Sequence, residues 1–272
     1  NINVFQNMNE NDEAHRVVDM ILINKVNGYS LNDFAVFYRT NAQSRALEDA
    51  LRRQGLPYTI VGSLKFYDRA EIKDIMAYLK LIHNPNDNIS FKRVVNVPKR
   101  GVGKTSMTKL ESFAAEKGLS LFESLKFAGS NILSGSSLAG LNSFKTLLEK
   151  NIRVKYNKTV KEIIEDLINE TGYLKELELS DNPENKSKIE NIQELVSAVE
   201  DFERRSPDKS LSGYLSQIAL VSDIDSWEDS EDRVTLMTLH LAKGLEFENV
   251  FLVGLEEGLF PIGESAYDQK EL

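Results

Sequence analysis

The order of apolar and polar positions divides the chain into two outer segments with strand and helix signals and a middle segment with helix signals alone. Four short apolar runs bounded by polar residues predict buried parallel strands: 34–38, 58–61, 234–237 and 250–253. A further pattern at Asn3–Gln6 predicts another short strand. Amphipathic spacing predicts helices between the first strands at about 13–26, 43–54 and 69–82. Strands that alternate with helices through short connections are typical of an α/β fold with a parallel sheet.

Between about residues 90 and 226 the alternation that marks strands is absent, and the apolar spacing predicts only helices. These predicted helices are 105–117, 120–127, 138–152, 159–170, 184–205 and 210–220. The simplest architecture is one α/β domain in two parts, 1–89 and 227–272, interrupted by a helical insertion at 90–226. Three separate units in a row are the alternative, but outer segments of about 89 and 46 residues are small for independent cores. We therefore expect a discontinuous domain.

The composition, with 41% hydrophobic and 28% charged residues, is typical of a soluble globular protein. No apolar run approaches the roughly 18 residues of a membrane helix. The lack of cysteine excludes disulfides and Cys-ligated metal sites, and three scattered histidines argue against a His-built one. We therefore expect no membrane association, no metal site in this chain and a cytoplasmic location.

The net charge of −9 argues against a wholly basic nucleic-acid binder. The charge is nevertheless uneven. Residues 223–232 contain acidic but no basic side chains, and residues 92–109 contain basic but no acidic side chains. The basic residues of this second segment are Lys92, Arg93, Lys99, Arg100, Lys104 and Lys109. A local basic segment can bind phosphate in an acidic protein. A solvated helix flank remains the alternative on charge alone.

Gly101–Ser106, with the sequence Gly-Val-Gly-Lys-Thr-Ser, lies in this basic segment. A P-loop requires a further glycine five positions before its Gly-Lys pair, and Pro98 occupies that position. A Gly-x-Gly turn between helices fits better, because its backbone N–H groups and the N-terminus of the following helix would face a DNA phosphate. Lys99, Arg100 and Lys104 would add long-range attraction. A tight helix–helix turn without a ligand is the alternative.

Tyr38–Arg45 directly follows the predicted strand 34–38. In open parallel sheets, ligands bind at the carboxyl ends of the strands. The segment offers several hydrogen-bond donors suited to phosphates and bases: Arg39, Thr40, Asn41, Gln43 and Arg45. An ordinary strand-to-helix turn capped by Asn41 is the alternative.

Phe66–Asp74 combines two aromatic residues with a predicted helix start. Aromatic faces can stack on nucleic-acid bases. The spacing alone favours core aromatics with charge pairs along a helix.

The turn at 238–247 connects two predicted strands and contains His240, Lys243 and Glu246. A glutamate in such a turn can accept hydrogen bonds from a ribose hydroxyl. A general-base role would need a water or hydroxyl within reach, and no second carboxylate or nucleophile completes a hydrolase here. A buried histidine with only a structural role is the alternative for His240.

Five segments occur in an order that resembles the C-terminal half of a bacterial UvrD/PcrA/Rep-type superfamily 1 DNA helicase. They are Arg39–Arg45, Phe66–Asp74, Asn96–Gly103, Leu236–Phe247 and Gly254–Pro261. The resemblance implies a second RecA-like domain, of the P-loop NTPase fold, interrupted by a mostly helical inserted domain. The segments cover both α/β parts and the start of the insertion, whereas the rest of the insertion matches by composition.

The resemblance also implies roles for individual residues. Those placed on a single-stranded DNA track are Arg39, Asn41, Thr238 and His240. Glu246 resembles the glutamate that binds the nucleotide ribose, and Gly244 belongs to the same ATP-binding turn. Those placed on duplex DNA are Lys99, Arg100, Gly101, Gly103 and Lys104. Leu241 departs from the family pattern, which has a small residue at that position.

The function implied for the intact protein is that of an ATP-dependent 3′-to-5′ DNA helicase that uses ATP with Mg²⁺. The Walker A and B groups belong to a first RecA-like domain, and the family's two γ-phosphate arginines lie in motifs that are not found here. We therefore expect no catalytic residue in this chain and no ATP hydrolysis by it alone. The expected partners are single-stranded DNA, duplex DNA and the N-terminal RecA-like domain of the same protein.

Two other functions remain open. A non-catalytic nucleic-acid-binding or partner-docking module would use the helical insertion as its working surface. A helicase–nuclease subunit of the RecB type would carry a further nuclease domain.

Overall fold

The structure, a computed structural model, describes residues 2–127, 129, 132–133, 135–180, 182–224, 232–257 and 260. It contains two compact units. The sheet unit comprises Asn1–Arg69 and Ala219–Leu272, and the helical unit comprises Ala70–Ile218. The division therefore falls at 69/70 and 218/219, whereas the sequence pattern placed it at 89/90 and 226/227. The domain boundaries given by the sequence pattern stay predictions.

The described residues of the sheet unit form four strands, all parallel: β1 Phe34–Tyr38, β2 Tyr58–Ile60, β3 Val234–Thr238 and β4 Asn249–Leu252. Their order across the sheet is β2-β3-β1-β4. Tyr38 pairs with Thr238 on one side of β1, and Phe37 pairs with Leu252 on the other. The predicted α/β fold class is confirmed, and the parallel arrangement agrees with a RecA-like sheet. Because all strands run the same way, their carboxyl ends meet at one edge.

Helices α1, Glu10–Val26, and α2, Ser44–Arg53, pack with this sheet. The Asn9 side chain accepts the backbone N–H groups of Asn11 and Asp12, which fixes the start of α1. The shared core contains buried apolar side chains from α1, α2, β1, β2 and β3 and from the residue after β4: Val17, Ile21, Phe34, Val36, Leu47, Leu51, Tyr58, Val234, Leu236 and Val253. Burial of this apolar surface is the main force that holds α1 and α2 on the sheet.

The strand predicted at Asn3–Gln6 is wrong. Residues 2–7 have no regular secondary structure, and Ile2 and Val4 are 96% and 89% exposed. The segment pairs with none of the four described strands. Two adjacent apolar residues, Val4 and Phe5, between polar ones show that a strand is possible, but they do not show that a neighbouring strand is available.

The helical unit contains α3 Ala70–His83, α4 Asn88–Val94, α5 Lys104–Lys117, α6 Leu121–Ser124, α7 Gly135–Val154, α8 Val160–Thr171, α9 Tyr173–Glu178 and α10 Pro183–Arg205. Helix α11, Leu211–Ile224, begins in this unit. The predicted mostly helical character of this segment is confirmed for its described residues. The sequence pattern did not predict α4 and α9, which have 7 and 6 residues.

Helix α3 belongs to the helical unit because buried polar contacts attach it to three other helices. Asn191 on α10 donates to Glu71 at 2.6 Å. Tyr173 at the start of α9 donates to Asp74 at 2.9 Å, and Arg93 on α4 forms an ion pair with Asp74 at 2.8 Å. Buried polar groups require such partners, so these contacts specify how α3 packs in this unit.

Among the residues that the structure describes, no helix combines the length and apolar character needed to cross a membrane.

Candidate functional site

Three chain segments lie side by side at the carboxyl edge of the sheet. The Leu239 N–H donates to the Tyr38 carbonyl at 2.9 Å, so the segment after β3 continues alongside the end of β1. On the other side, the Val253 N–H donates to the Phe37 carbonyl at 3.0 Å. The residues that follow β1, β3 and β4 therefore meet at the place where open parallel sheets bind ligands.

Arg39 and His240 are brought together at this edge. The Arg39 Nη1 atom lies 3.0 Å from Nδ1 and 3.1 Å from Nε2 of His240, so the guanidinium packs against the imidazole ring. His240 is exposed and Arg39 is half-buried. The interpretation of His240 as a core histidine is therefore wrong, and the pair presents an accessible cationic donor group.

Asn41 and Thr238 lie at the same edge with different local roles. Asn41 opens a short 3-10 turn, Asn41–Gln43, that leads into α2. The residue that precedes this turn as its cap is Thr40, so the alternative in which Asn41 caps the helix does not describe the geometry. Thr238 ends β3, and its carbonyl accepts the N–H groups of Leu241 and Ala242 at 3.0 and 3.2 Å. Thr238 thereby tightens the turn that presents His240.

Gly244 and Glu246 are exposed in the turn between β3 and β4. Gly244 has a φ of +88°, a conformation that side chains rarely adopt, so a glycine is required for this turn. The Leu245 N–H donates to the Ala242 carbonyl at 3.0 Å and closes it. The Phe247 ring then packs edge-on against Phe37 at 6.0 Å, which anchors the end of the turn and leaves the Glu246 carboxylate in solvent.

Leu241, the departure from the family pattern, covers another glycine. An ideal Cβ on Gly62 would lie 2.4 Å from the Leu241 Cδ1 atom, so the leucine side chain occupies the space that a larger residue would need. Leu241 is still 44% exposed. Its side chain therefore links the turn after β3 to the loop after β2 by an apolar contact.

Two other side chains that were considered as ligand contacts, Arg45 and Phe66, are buried in the fold. Arg45 is 2% exposed and forms an ion pair with Asp49 at 3.0 Å, so it is withdrawn from the edge where its guanidinium was expected. Phe66 is fully buried, which agrees with the core interpretation of the Phe66–Asp74 segment. A sequence pattern identifies an arginine near a strand end, but it does not identify the direction in which its long side chain folds.

The sequence pattern also did not single out Glu48, a fully buried carboxylate on α2. Arg52 Nη2 and Ser44 Oγ donate to it at 2.9 and 2.7 Å, and the Phe66 N–H donates at 3.0 Å. Burial raises the pKa of Glu48, while the charges of Arg52 and Arg69 oppose that shift. The i,i+4 spacing of Glu48 and Arg52 was the available sequence signal.

The Gly101–Gly103 turn lies in the helical unit and is shaped by Asn96. The Asn96 Oδ1 atom accepts the N–H groups of Arg100 and Val102 at 2.7 and 3.2 Å. Gly101 has a φ of +73°, and Gly103 is the N-cap of α5. Two of the N–H groups near this turn are therefore used inside the fold, whereas both glycines are exposed.

Arg100 differs from its basic neighbours because its guanidinium is held by the protein itself. Nη1 donates to the carbonyls of Val94 at 3.0 Å and Val97 at 3.1 Å, and Nη2 donates to the Tyr78 hydroxyl at 2.6 Å. The guanidinium also lies 5.2 Å from the centre of the Phe144 ring. Burial raises the pKa of Tyr78 to about 12, although Arg100 opposes this.

Lys99 and Lys104 are exposed on either side of the turn. Because the Arg100 guanidinium is engaged internally, these two lysines are the cations of the turn that can reach a phosphate without breaking contacts within the fold.

Some predicted features lie outside the described residues. They are positions 225–231 of the acidic segment, and Gly258, Leu259 and Pro261 of the last helicase-like segment. In the described part of the chain, no cluster of three or more metal-ligating side chains is present.

Comparison with known proteins identifies one family over nearly the whole chain. The family described as the UvrD-like helicase C-terminal domain matches residues 1–271. The ATP-dependent DNA helicase PcrA of Bacillus subtilis is 46% identical over 248 residues, which cover 89% of this chain and 34% of that protein. The PcrA helicase of Staphylococcus aureus is 42% identical over 262 residues, with coverage of 96% and 36%. The chain thus spans about a third of the length of these curated relatives.

Proposed function

Because the chain belongs to the UvrD-like helicase C-terminal domain family, we propose that it forms the C-terminal part of an ATP-dependent 3′-to-5′ DNA helicase. The observation that carries the proposal is the contact between Arg39 and His240 at the carboxyl edge of the sheet. The same edge carries the exposed Gly244 and Glu246. A motor that couples ATP hydrolysis to movement along DNA needs nucleotide contacts and DNA contacts on one rigid element. This edge carries hydrogen-bond donors for DNA phosphates and a carboxylate for the nucleotide.

In this proposal, Arg39, Asn41, Thr238 and His240 contact single-stranded DNA. The Arg39 guanidinium has the planar donor geometry that phosphate accepts, and the exposed His240 ring lies beside it. Phosphate contacts of this kind position a strand without reading its sequence. A translocating enzyme requires this indifference to sequence.

The nucleotide contacts proposed for this chain are those of Glu246 and Gly244. The Glu246 carboxylate is exposed on a turn that is closed by its own backbone bonds, so it fits a ribose hydroxyl as an acceptor. ATP supplies the phosphate bond that is cleaved, and Mg²⁺ neutralises its phosphate charge when bound. The Mg²⁺ ligands would come from the preceding RecA-like domain. We therefore propose an ATP hydrolase for the intact cytoplasmic protein and no hydrolysis by this chain alone.

The duplex contacts proposed for this chain are those of the Gly101–Gly103 turn. Lys99 and Lys104 are exposed beside it and can neutralise phosphates directly. Arg100 contributes by holding the turn, because its guanidinium bonds to the carbonyls beneath it.

Fluorescence anisotropy with a labelled oligothymidylate tests the single-strand role. Arg39→Gln should weaken binding about tenfold or more, because a charge-assisted hydrogen bond is lost. Arg53→Gln removes an exposed arginine from the end of α2 and should leave the affinity within about twofold. An equal loss in both variants, or none in Arg39→Gln, would contradict the proposed contact.

Nucleotide phosphate is a second candidate ligand for Arg39, because the arginine shares its edge with the Glu246 turn. Titration of a fluorescent ATP analogue in the same variants separates the two. Loss of analogue binding with unchanged oligonucleotide affinity would assign Arg39 to the nucleotide instead.

A non-catalytic nucleic-acid-binding module is the second candidate function, and the exposed Lys99 and Lys104 favour it. This function predicts that the chain binds duplex DNA and that Lys99→Ala and Lys104→Ala weaken this binding. Arg39→Gln and Glu246→Ala should change the affinity for no DNA or nucleotide ligand. Steady ATP hydrolysis by the highly purified chain, abolished by Glu246→Ala, would contradict the non-catalytic function and the proposal that this chain alone does not hydrolyse ATP.

A further inference from the structure

Gln43 connects the Arg39 turn to the segment that follows β4. Its Oε1 atom accepts the backbone N–H groups of both Arg39 and Thr40, each at 2.9 Å. One carboxamide oxygen therefore fixes two consecutive peptide groups at the point where β1 ends. The sequence pattern treats Gln43 only as a donor for a ligand, whereas its oxygen is used inside the fold.

The nitrogen of the same carboxamide lies against Gly254. An ideal Cβ on Gly254 would be 2.0 Å from the Gln43 Nε2 atom, so any side chain there would displace the carboxamide. Gly254 also has a φ of +69°, and its N–H donates to both carboxylate oxygens of Glu13 at 3.2 Å. Glu13 lies on α1. Gly254 is therefore hydrogen-bonded to α1 through its N–H group, and Gln43 packs against its Cα atom, where another residue would have a side chain.

We infer that Gln43 and Gly254 act as a pair of positioning residues that fix the Arg39 backbone and so place its guanidinium against His240. The relevance of this pair to ligand binding rests on the proposed function. The contacts form a continuous path from Glu13 through Gly254 and Gln43 to Arg39. A shift of Gly254 towards Gln43 would therefore displace the carboxamide that accepts the Arg39 and Thr40 N–H groups.

A merely structural role for Gln43, as a cap of the Asn41–Gln43 turn, would lower stability without a selective effect at Arg39. The two roles are separated by amide hydrogen exchange at Arg39 and Thr40 and by the ring signals of His240 in nuclear magnetic resonance spectra. Both readouts need no ligand, so they can fail independently of the DNA and nucleotide titrations.

The test uses four variants of the whole chain and two controls. Gln43→Ala removes the acceptor, and Gln43→Glu keeps it. Gly254→Ala introduces a methyl group that clashes with the Gln43 carboxamide. A double variant that adds Gln43→Ala removes this carboxamide. Gln54→Ala is the control for an exposed glutamine, and Gly55→Ala is the control for backbone strain, because Gly55 has a φ of +62° with open space around its Cβ position.

We expect the Arg39 and Thr40 amides to exchange about 2- to 10-fold faster in Gln43→Ala, which corresponds to the loss of one net hydrogen bond. The His240 ring signals should shift towards those of Arg39→Gln. Gln43→Glu should restore slow exchange. Gly254→Ala should accelerate exchange at the same two amides. In the double variant with Gln43→Ala, the Gly254→Ala change should accelerate exchange no further than its backbone strain alone does.

Unchanged exchange at Arg39 and Thr40 in Gln43→Ala would overturn the inference, whatever the DNA affinity does. Fast exchange with unmoved His240 signals would overturn the positioning role as well. If these readouts behave as expected but Arg39→Gln still binds oligonucleotide and nucleotide normally, the proposed ligand contact fails and the positioning geometry stands.

Discussion

The Arg39 guanidinium lies against the His240 ring, with Nη1 3.0 Å from Nδ1, although the two residues are 201 positions apart in the sequence. The contact exists because β1 and β3 are parallel neighbours whose last residues, Tyr38 and Thr238, are paired. Arg39 follows β1 by one position, and His240 follows β3 by two. Insertion of the helical unit between the two strands leaves this register intact.

Arg39 and His240 should be energetically coupled in oligonucleotide binding. In a double-mutant cycle with Arg39→Gln and His240→Gln, we expect a coupling free energy of about 0.5–3 kcal/mol, because the two side chains touch and would share one ligand. The cycle is measured by anisotropy at fixed salt. A parallel cycle between Arg39→Gln and Lys99→Gln, in different units, is the control and should be additive. Additivity in the first cycle would show that the contact is incidental to binding.

Substitution of Glu48 should destabilise the sheet unit strongly. Glu48→Ala removes the fully buried partner of the Arg52 guanidinium, whose side chain is 3% exposed and keeps Asp49 at 3.0 Å, and breaking such a buried pair costs about 3–5 kcal/mol. Urea denaturation followed by circular dichroism measures the change in unfolding free energy. Asp19→Ala, an exposed carboxylate on α1, should change it by less than about 0.5 kcal/mol. A loss below about 1 kcal/mol in Glu48→Ala would mean that Arg52 finds other partners.

The sequence was sufficient for the elements whose patterns extend over several turns or over a fully buried strand. The four strands and the longer helices follow from apolar spacing, because the same burial that stabilises them also sets their period. The sequence predicts that the end of β1 lies beside the turn after β3 only through the family resemblance. No local pattern shows that two strands about 200 positions apart are neighbours in the sheet.

The sequence could not predict whether a long polar side chain points to solvent or bonds within the fold. Arg45, Arg100 and Gln43 were all expected as donors to a ligand, and each is engaged within the fold. Their choice between interior and solvent depends on carbonyls and carboxylates that come from other elements. Such partners become visible only when tertiary structure places them, as Asn96 and Gly254 also illustrate.

Arg100 should behave differently from its neighbouring lysine. Arg100→Lys removes a planar group that bonds to the Val94 and Val97 carbonyls and to Tyr78, so we expect the helical unit to lose at least about 2 kcal/mol of stability. Lys99→Ala should change stability by less than about 0.5 kcal/mol. It should instead lower the slope of log affinity for duplex DNA against log salt by about 0.9. A destabilisation shared equally by both variants would contradict this division of roles.

Asp87 should give the helical unit a stability term that depends on pH. Its Oδ1 atom accepts the N–H groups of Ile89 and Ser90, each at 3.0 Å, at the start of α4. Partial burial raises the pKa of Asp87, but hydrogen bonds from Ser90 and Ile89 and the charge of Lys80 outweigh it, so the pKa lies below its usual value.

A carboxyl whose pKa is lowered by folding stabilises the folded state above its unfolded pKa of about 3.9, and this stability is lost as the pH falls through the folded pKa. Asp87→Ala should therefore lower the unfolding free energy by about 1 kcal/mol at neutral pH, with a smaller difference below about pH 3.9. Asp87→Asn keeps an N-cap acceptor without the charge, so its stability should approach that of the unsubstituted chain as the pH falls. Thermal denaturation of the three proteins across pH 3 to 7 measures both effects, and a loss in Asp87→Ala that stays constant over this range would show that the charge of Asp87 contributes nothing.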